Sequence, residues 1–168
     1  MNSIPPVTKN LLIINLLFFL GIFVAEKYGI NLRSELGLHF FMAEDFSPYQ
    51  LLTYMFMHGG LMHIVWNMFA LYVFGRIFLD FFSIRHFVGV YLLGGLFGAL
   101  FFVLAYNLFP YFAGVVDVSH LVGASAAVLA VTSAGYARTR VARVNVGLTR
   151  EKAAALAALL NSRMIFVA

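Results

Sequence analysis

Apolar residues along the chain come in long runs that polar segments separate. The runs predict membrane-spanning helices at residues 11–26, 51–75, 87–108 and 122–137. A helix needs about 20 mainly apolar residues to cross the hydrocarbon layer. The predicted fold class is therefore all-α: a polytopic membrane helix bundle of about four transmembrane helices, in a domain that covers residues 1–137.

The composition agrees with a membrane protein and excludes several kinds of site. The chain is 62% hydrophobic and 11% charged, whereas a soluble domain is about 25% charged. It contains no cysteine, which excludes disulfides, thiolate zinc sites and cysteine nucleophiles. The basic residues are not interleaved with aromatic residues on a polar surface, so we expect no nucleic-acid partner.

Two segments are too polar or too short to span. Residues 28–50, here called the first loop, carry several charges, and their centre, LGLHFFMAEDF, is aromatic and amphipathic, which is typical of a segment in the membrane interface. Residues 138–168 form a basic tail whose last part, AAALAALLNSRMIFVA, is too short to cross. We expect that part to be an interfacial helix or disordered.

Charge asymmetry predicts the orientation. Lys9, the 76–86 turn and the tail after Tyr136 fall on one side of a four-span bundle, and they carry most of the arginine and lysine. Because cytoplasmic loops are enriched in these residues, the N-terminus and the tail are predicted to be cytoplasmic. The expected location is the cell (inner) membrane.

One stretch inside the second run is polar: HGGLMHIVWN, residues 58–67. His63 and Asn67 are four residues apart and share a helix face. Polar groups within a span are costly and usually face a protein interior, a cavity or a site. Ser125, at the start of the fourth run, would lie near this face if the two helices approach closely. The result would be a hydroxyl facing two hydrogen-bond donors, which is the arrangement of a nucleophile with an oxyanion hole.

Small residues indicate that the helices do approach closely. Gly94 and Gly98 in the third run have the spacing that lets backbones come together in lipid. The fourth run repeats small residues at a similar spacing, at Gly123, Ala127, Ala130 and Ala134.

Each polar residue also has a common structural explanation. A serine can cap or fill a membrane helix, and a His–Asn pair can hydrogen bond between helices. His86 and His120 lie at polar junctions and fit the interface, while His58 can bond the first loop. The sequence GASAA is not the G-x-S-x-G elbow of α/β-hydrolases, and no strand precedes it.

The residues QLLTYMFMHGGLMHIVWNMFALYVFG at 50–75, with YLLGGLFGA and GASAA further along, resemble the rhomboid family of intramembrane serine proteases. The resemblance covers residues 5–132. It implies that Ser125 is the nucleophile and that His63 and Asn67 stabilise the oxyanion together with the Ser125 N–H. It also implies a first loop half-immersed in the outer leaflet and a water-filled cavity open to the non-cytoplasmic side. The expected substrates are single-span membrane proteins, cleaved near their membrane boundary.

Two departures from the family pattern affect this prediction. Ala126 follows the serine where the family usually has glycine. The family's general base is a histidine on a sixth span, but no histidine follows His120, and the fifth and sixth spans are not found. We expect a rhomboid core whose C-terminal part is lost or replaced, with little or no proteolysis because serine needs a positioned base.

Two other functions are open from the sequence. The first is a non-catalytic rhomboid-like protein that binds membrane clients through the same bundle. The second is a small carrier or haem-binding subunit that uses His58, His63 or His120 as ligands. The favoured interpretation needs no cofactor and no metal, and its partners are the lipid bilayer and transmembrane protein substrates or clients.

Overall fold

The computed structural model describes residues 4–109 and 120–141. Within them the chain is mostly helical, and the only strands are two short ones that pair antiparallel. The elements, in chain order, are α1 (Pro6–Lys27), α2 (Leu32–Leu36), β1 (Leu38–His39), α3 (Gln50–Thr53), a 3-10 turn (Tyr54–Phe56), α4 (Leu61–Leu79), α5 (Ile84–Leu108), β2 (His120–Leu121) and a helix over residues 125–141, here called α6.

The chain forms two compact units, residues 1–135 and residues 136–168. The described part of the second unit is the helical segment 136–141, in which the Arg140 guanidinium lies 5.9 Å from the centre of the Tyr136 ring. The predicted interfacial helix at the end of the basic tail lies outside the described residues.

The all-α membrane bundle is confirmed. Three helices among the described residues are long and apolar enough to cross a bilayer, α1, α4 and α5. Most of their apolar side chains face outward, as expected when lipid rather than water surrounds the helices. The protein is therefore an integral membrane protein. Residues 125–141 are helical where the fourth span was predicted, and whether α6 crosses the bilayer stays a prediction.

The second spanning helix begins later than predicted, at Leu61 rather than near Leu51. Residues 50–56 form the short α3 and the 3-10 turn instead, and residues 57–60 are not helical. The sequence Gly59-Gly60 favours this break because glycine destabilises a helix interior, and Gly60 is the N-cap of α4. Hydropathy did not predict this break, because two adjacent glycines hardly change the mean hydropathy of a long apolar run.

The other helix starts also differ from the predicted ones by a few residues. The first spanning helix starts at Pro6, where proline has the fixed φ that suits the first turn. The third starts at Ile84, directly after Ser83, three residues before the predicted position.

Glycines of α5 meet alanines of α6 at close range. A methyl group placed on Gly94 would lie 2.5 Å from Cβ of Ala130, and one placed on Gly98 would lie 2.5 Å from Cβ of Ala126. Normal carbon contacts are about 3.5–4.0 Å, so only glycine fits at these two positions with the helices where they are. The predicted close approach is confirmed.

The buried side chain of Gln50 holds the first loop together through hydrogen bonds. Its side chain is 1% exposed and makes four hydrogen bonds to main-chain atoms, with the N–H groups of His39 and Ser47 and the carbonyls of Glu35 and Asp45. β1 in this loop pairs with β2, which ties the loop to the segment just before α6. Phe41 and Met42 remain exposed at the loop's apolar tip, and the loop's place in the membrane interface stays a prediction.

Candidate active site

Ser125 is the first helical residue of α6. The carbonyl of Ala124 accepts a hydrogen bond from the Val128 N–H at 2.8 Å, which marks the start of the helix. The preceding Gly123 has φ +122°, a conformation that side-chain-bearing residues rarely adopt, and its N–H donates to the Tyr54 carbonyl at 2.9 Å. These contacts fix the turn that presents the serine.

The imidazole of His63 lies against this turn. A methyl group placed on Gly123 would be 2.8 Å from Nε2 of His63, 2.7 Å from its Cε1 and 3.7 Å from Oγ of Ser125. The histidine and the serine therefore lie on either side of the position that a side chain on Gly123 would occupy. The structure brings these two predicted site residues together.

The hydrogen bonding of His63 fixes which ring nitrogen carries the proton. The N–H of Gly59 donates to Nδ1 at 3.3 Å, so Nδ1 offers its lone pair, and the tautomer assigned from this hydrogen bond carries its hydrogen on Nε2. The edge that faces Gly123 and Ser125 is therefore a hydrogen-bond donor. A donor at this place can bind a negatively charged oxygen but cannot take a proton from the serine.

Arg33 holds the Gly59 peptide whose N–H bonds His63. The sequence pattern predicted no role for this arginine. Its guanidinium donates to the Gly59 carbonyl at 2.9 Å and pairs with Glu26 at 2.9 Å. The same peptide segment that orients His63 is thus held to the first loop. The sequence signal that could have found it is a basic residue on the otherwise acidic side of the bundle.

Asn67 is buried one turn further along α4, with 7% of its surface exposed. Its amide nitrogen donates to the His63 carbonyl at 2.9 Å. No hydrogen bond within the described residues joins it to Ser125, so its predicted contribution to the oxyanion site stays a prediction. A second hydrogen on the same nitrogen remains to be donated.

His58 is buried beneath His63. The two rings pack edge to face with centres 5.2 Å apart. Nδ1 of His58 donates to the Phe56 carbonyl at 3.3 Å, and Nε2 has no partner within the described residues. Burial, and secondarily the neighbouring His63, lowers the pKa of His58 to about 4. The ring is therefore neutral at physiological pH.

The remaining histidines lie elsewhere. The His120 ring packs against the ring of His39 in the first loop, with centres 5.4 Å apart, and Nδ1 of His86 bonds Oγ of Ser83 at 2.8 Å. These contacts place His120 beside His39 in the first loop and His86 at the start of α5.

The match to a family model decides the assignment: a model described as "Rhomboid domain" matches residues 45–168, well over half of the chain. The chain belongs to the rhomboid family. No curated protein and no solved structure matches it significantly.

The matched range contains most of the features singled out in the sequence. It includes the 58–67 stretch, Ser125 and the basic tail, and it runs past residue 132, where the motif resemblance ends. The departure at Ala126 has a structural counterpart, because the methyl group of Ala126 faces the bare backbone of Gly98. The extra methyl is thus accommodated by α5, and it lies on the packing face of α6.

Proposed function

We propose that this rhomboid carries the nucleophile and oxyanion site of an intramembrane serine endopeptidase. Ser125 is the nucleophile, and His63 stabilises the oxyanion. One observation supports this above the others: the Nε2 edge of His63 and the serine hydroxyl both adjoin the position that a side chain on Gly123 would occupy. A serine with only a structural role has no need of that neighbour.

The chemistry follows from the donor geometry. When Oγ of Ser125 attacks a peptide carbonyl, the carbonyl oxygen gains negative charge, and the Nε2–H of His63 donates to it. The Ser125 N–H is a second donor, because the first N–H groups of a helix have no partner within the helix. Asn67 supplies a third through its amide. Donors placed in advance stabilise the transition state, and losing one typically costs about 10²–10³ in rate.

The proton of Ser125 needs an acceptor, and the sequence contains none at the family's position. Its five histidines are residues 39, 58, 63, 86 and 120, all before the serine. His63 offers a hydrogen rather than a lone pair on the relevant edge. These 168 residues therefore supply a nucleophile and an oxyanion site without the base, and we expect them to be inactive or weakly active by themselves.

The substrates, in this proposal, are single-span membrane proteins cut within or near the bilayer. Ser125 is exposed in the described structure, and in this proposal it opens to a cavity that water enters from the non-cytoplasmic side. The N-terminus and the tail then lie in the cytoplasm, and the membrane is the cell (inner) membrane.

Labelling with a fluorophosphonate probe tests the site and the missing base separately. We expect slow labelling of the purified protein, and faster labelling when imidazole is added as an external base. The accelerated labelling should disappear in Ser125→Ala and fall about 10²-fold in His63→Ala, which lacks the oxyanion donor.

Rapid labelling of Ser125 without imidazole would contradict the claim that the base is missing. Labelling that stays absent with imidazole, in a protein that remains folded, would contradict the protease proposal. It would leave a rhomboid-like protein that binds membrane clients without cutting them.

A further inference from the structure

A cavity of about 670 Å³ lies at the end of α4 away from His63. It is formed by the last residues of α4, the 80–83 turn and the start of α5, together with Pro5, the N-cap residue of α1. Its walls combine apolar side chains, Leu79, Phe82 and Ile84, with the charged groups of Arg76, Arg85 and Asp80. The proposed proteolytic site uses none of these residues.

The two arginines have no partner in the described part of the chain. The ion pair found there joins Arg33 to Glu26, and no hydrogen bond involves the guanidinium of Arg76 or Arg85. Asp80 also lines the cavity but forms no ion pair with either arginine. Two guanidinium groups on one cavity favour an anion with several oxygens, because guanidinium binds phosphate in a forked geometry.

The start of α5 adds to the positive potential. Ser83 is its N-cap residue, but the serine hydroxyl bonds His86 instead of capping the helix. The first N–H groups of α5 are thus left without a side-chain cap beside the two arginines. The partial positive charge of a helix N-terminus attracts anions.

The position of the cavity along α4 indicates where the anion comes from. α4 has 19 residues, which gives a length of about 28 Å, close to the thickness of the hydrocarbon layer. Leu61 begins this helix near the Ser125 end, and Leu79 ends it at the cavity. The cavity therefore lies at the level of the lipid headgroups on the opposite side of the bilayer, with apolar walls next to the acyl chains.

We propose that this cavity binds the phosphate of an anionic phospholipid headgroup, with Arg76 and Arg85 as its ligands. The carboxylate of Asp80 weakens the binding of any anion, and it disfavours headgroups that carry a second negative charge. The site is independent of the proposed proteolysis.

Native mass spectrometry of the purified full-length protein, released from micelles, tests this assignment. The protein is titrated with dioleoyl phosphatidylglycerol, and the zwitterionic dioleoyl phosphatidylcholine is the comparison lipid. We expect one saturable phosphatidylglycerol and weaker binding of phosphatidylcholine. Arg76→Gln and Arg85→Gln should each weaken binding about fivefold, from the usual contribution of a basic residue at an anionic surface.

Two further variants separate a site from damage to the fold. Asp80→Asn should strengthen phosphatidylglycerol binding severalfold, a gain that misfolding would not produce. Lys27→Gln removes a positive charge at the other end of α1 and should leave binding unchanged.

Three results would overturn the proposal. The first is equal binding of both lipids that neither arginine variant changes. The second is no gain in Asp80→Asn. The third is displacement of the lipid by millimolar inorganic phosphate, which would assign the site to the free anion.

Discussion

Gly98→Ala should destabilise the bundle by forcing α5 and α6 apart. The new methyl group would lie 2.5 Å from Cβ of Ala126 and 3.0 Å from the Tyr54 hydroxyl, about 1 Å closer than carbon atoms normally pack. Overpacking of this kind costs about 1–3 kcal/mol. Gly89→Ala is the matched control, because it lies on the same helix with no atom within 4 Å of the added methyl group. Both variants gain the same helix propensity, so the difference between them isolates the clash.

The assay is the free energy of unfolding in mixed micelles, measured by titration with a denaturing detergent. We expect Gly98→Ala to be about 1–3 kcal/mol less stable than Gly89→Ala. Adding Ala126→Gly to Gly98→Ala should recover most of that loss, although the Tyr54 contact remains. Equal stability of the two single variants, or strict additivity in the double variant, would refute the packing of α5 on α6.

Two further predictions concern the surroundings of the serine. Gly123→Ala should lower the free energy of unfolding by about 2–6 kcal/mol, because the methyl group meets the His63 ring and the backbone is strained at φ +122°. Gly60→Ala, with open space around it, is the control, and equal stability of the two variants would contradict the site geometry. Burial lowers the pKa of His58 to about 4, so the unfolded chain takes up its proton first and the stability should fall by up to about 3 kcal/mol as the pH drops from about 6.5 to 4. His58→Asn should lose this part of the pH dependence, and an unchanged profile would show that His58 is not buried.

The sequence predicted the features that depend on periodicity. Long apolar runs identified the spanning helices, because the hydrocarbon layer demands length and apolarity wherever it is crossed. Glycines and alanines at helical spacing predicted a close helix pair, and the contact of Gly98 with Ala126 confirms it. The His63–Ser125 neighbourhood followed from that closeness and from the rhomboid pattern.

What escaped prediction depends on contacts between segments far apart in the chain. The break at residues 57–60 separates two apolar segments of similar hydropathy, so the start of α4 could not be read from hydropathy alone. The link from Arg33 to the Gly59 carbonyl spans 26 residues. The tautomer of His63 depends on the hydrogen bond from the Gly59 N–H in the non-helical turn. No rule based on residue spacing predicts that hydrogen bond.

The proposed proteolytic site requires that the Ser125 hydroxyl lies in water beside His63, and the absence of native cysteine allows a direct measurement. A single thiol is introduced as Ser125→Cys, and its reaction with a charged, membrane-impermeant maleimide is followed in proteoliposomes. Phe97→Cys is the comparison, because Phe97 is 66% exposed in the middle of α5 and faces lipid if the helix spans the bilayer. We predict rapid modification of Ser125→Cys and none of Phe97→Cys. Equal resistance of the two thiols would contradict the water-accessible site and the proteolytic interpretation with it.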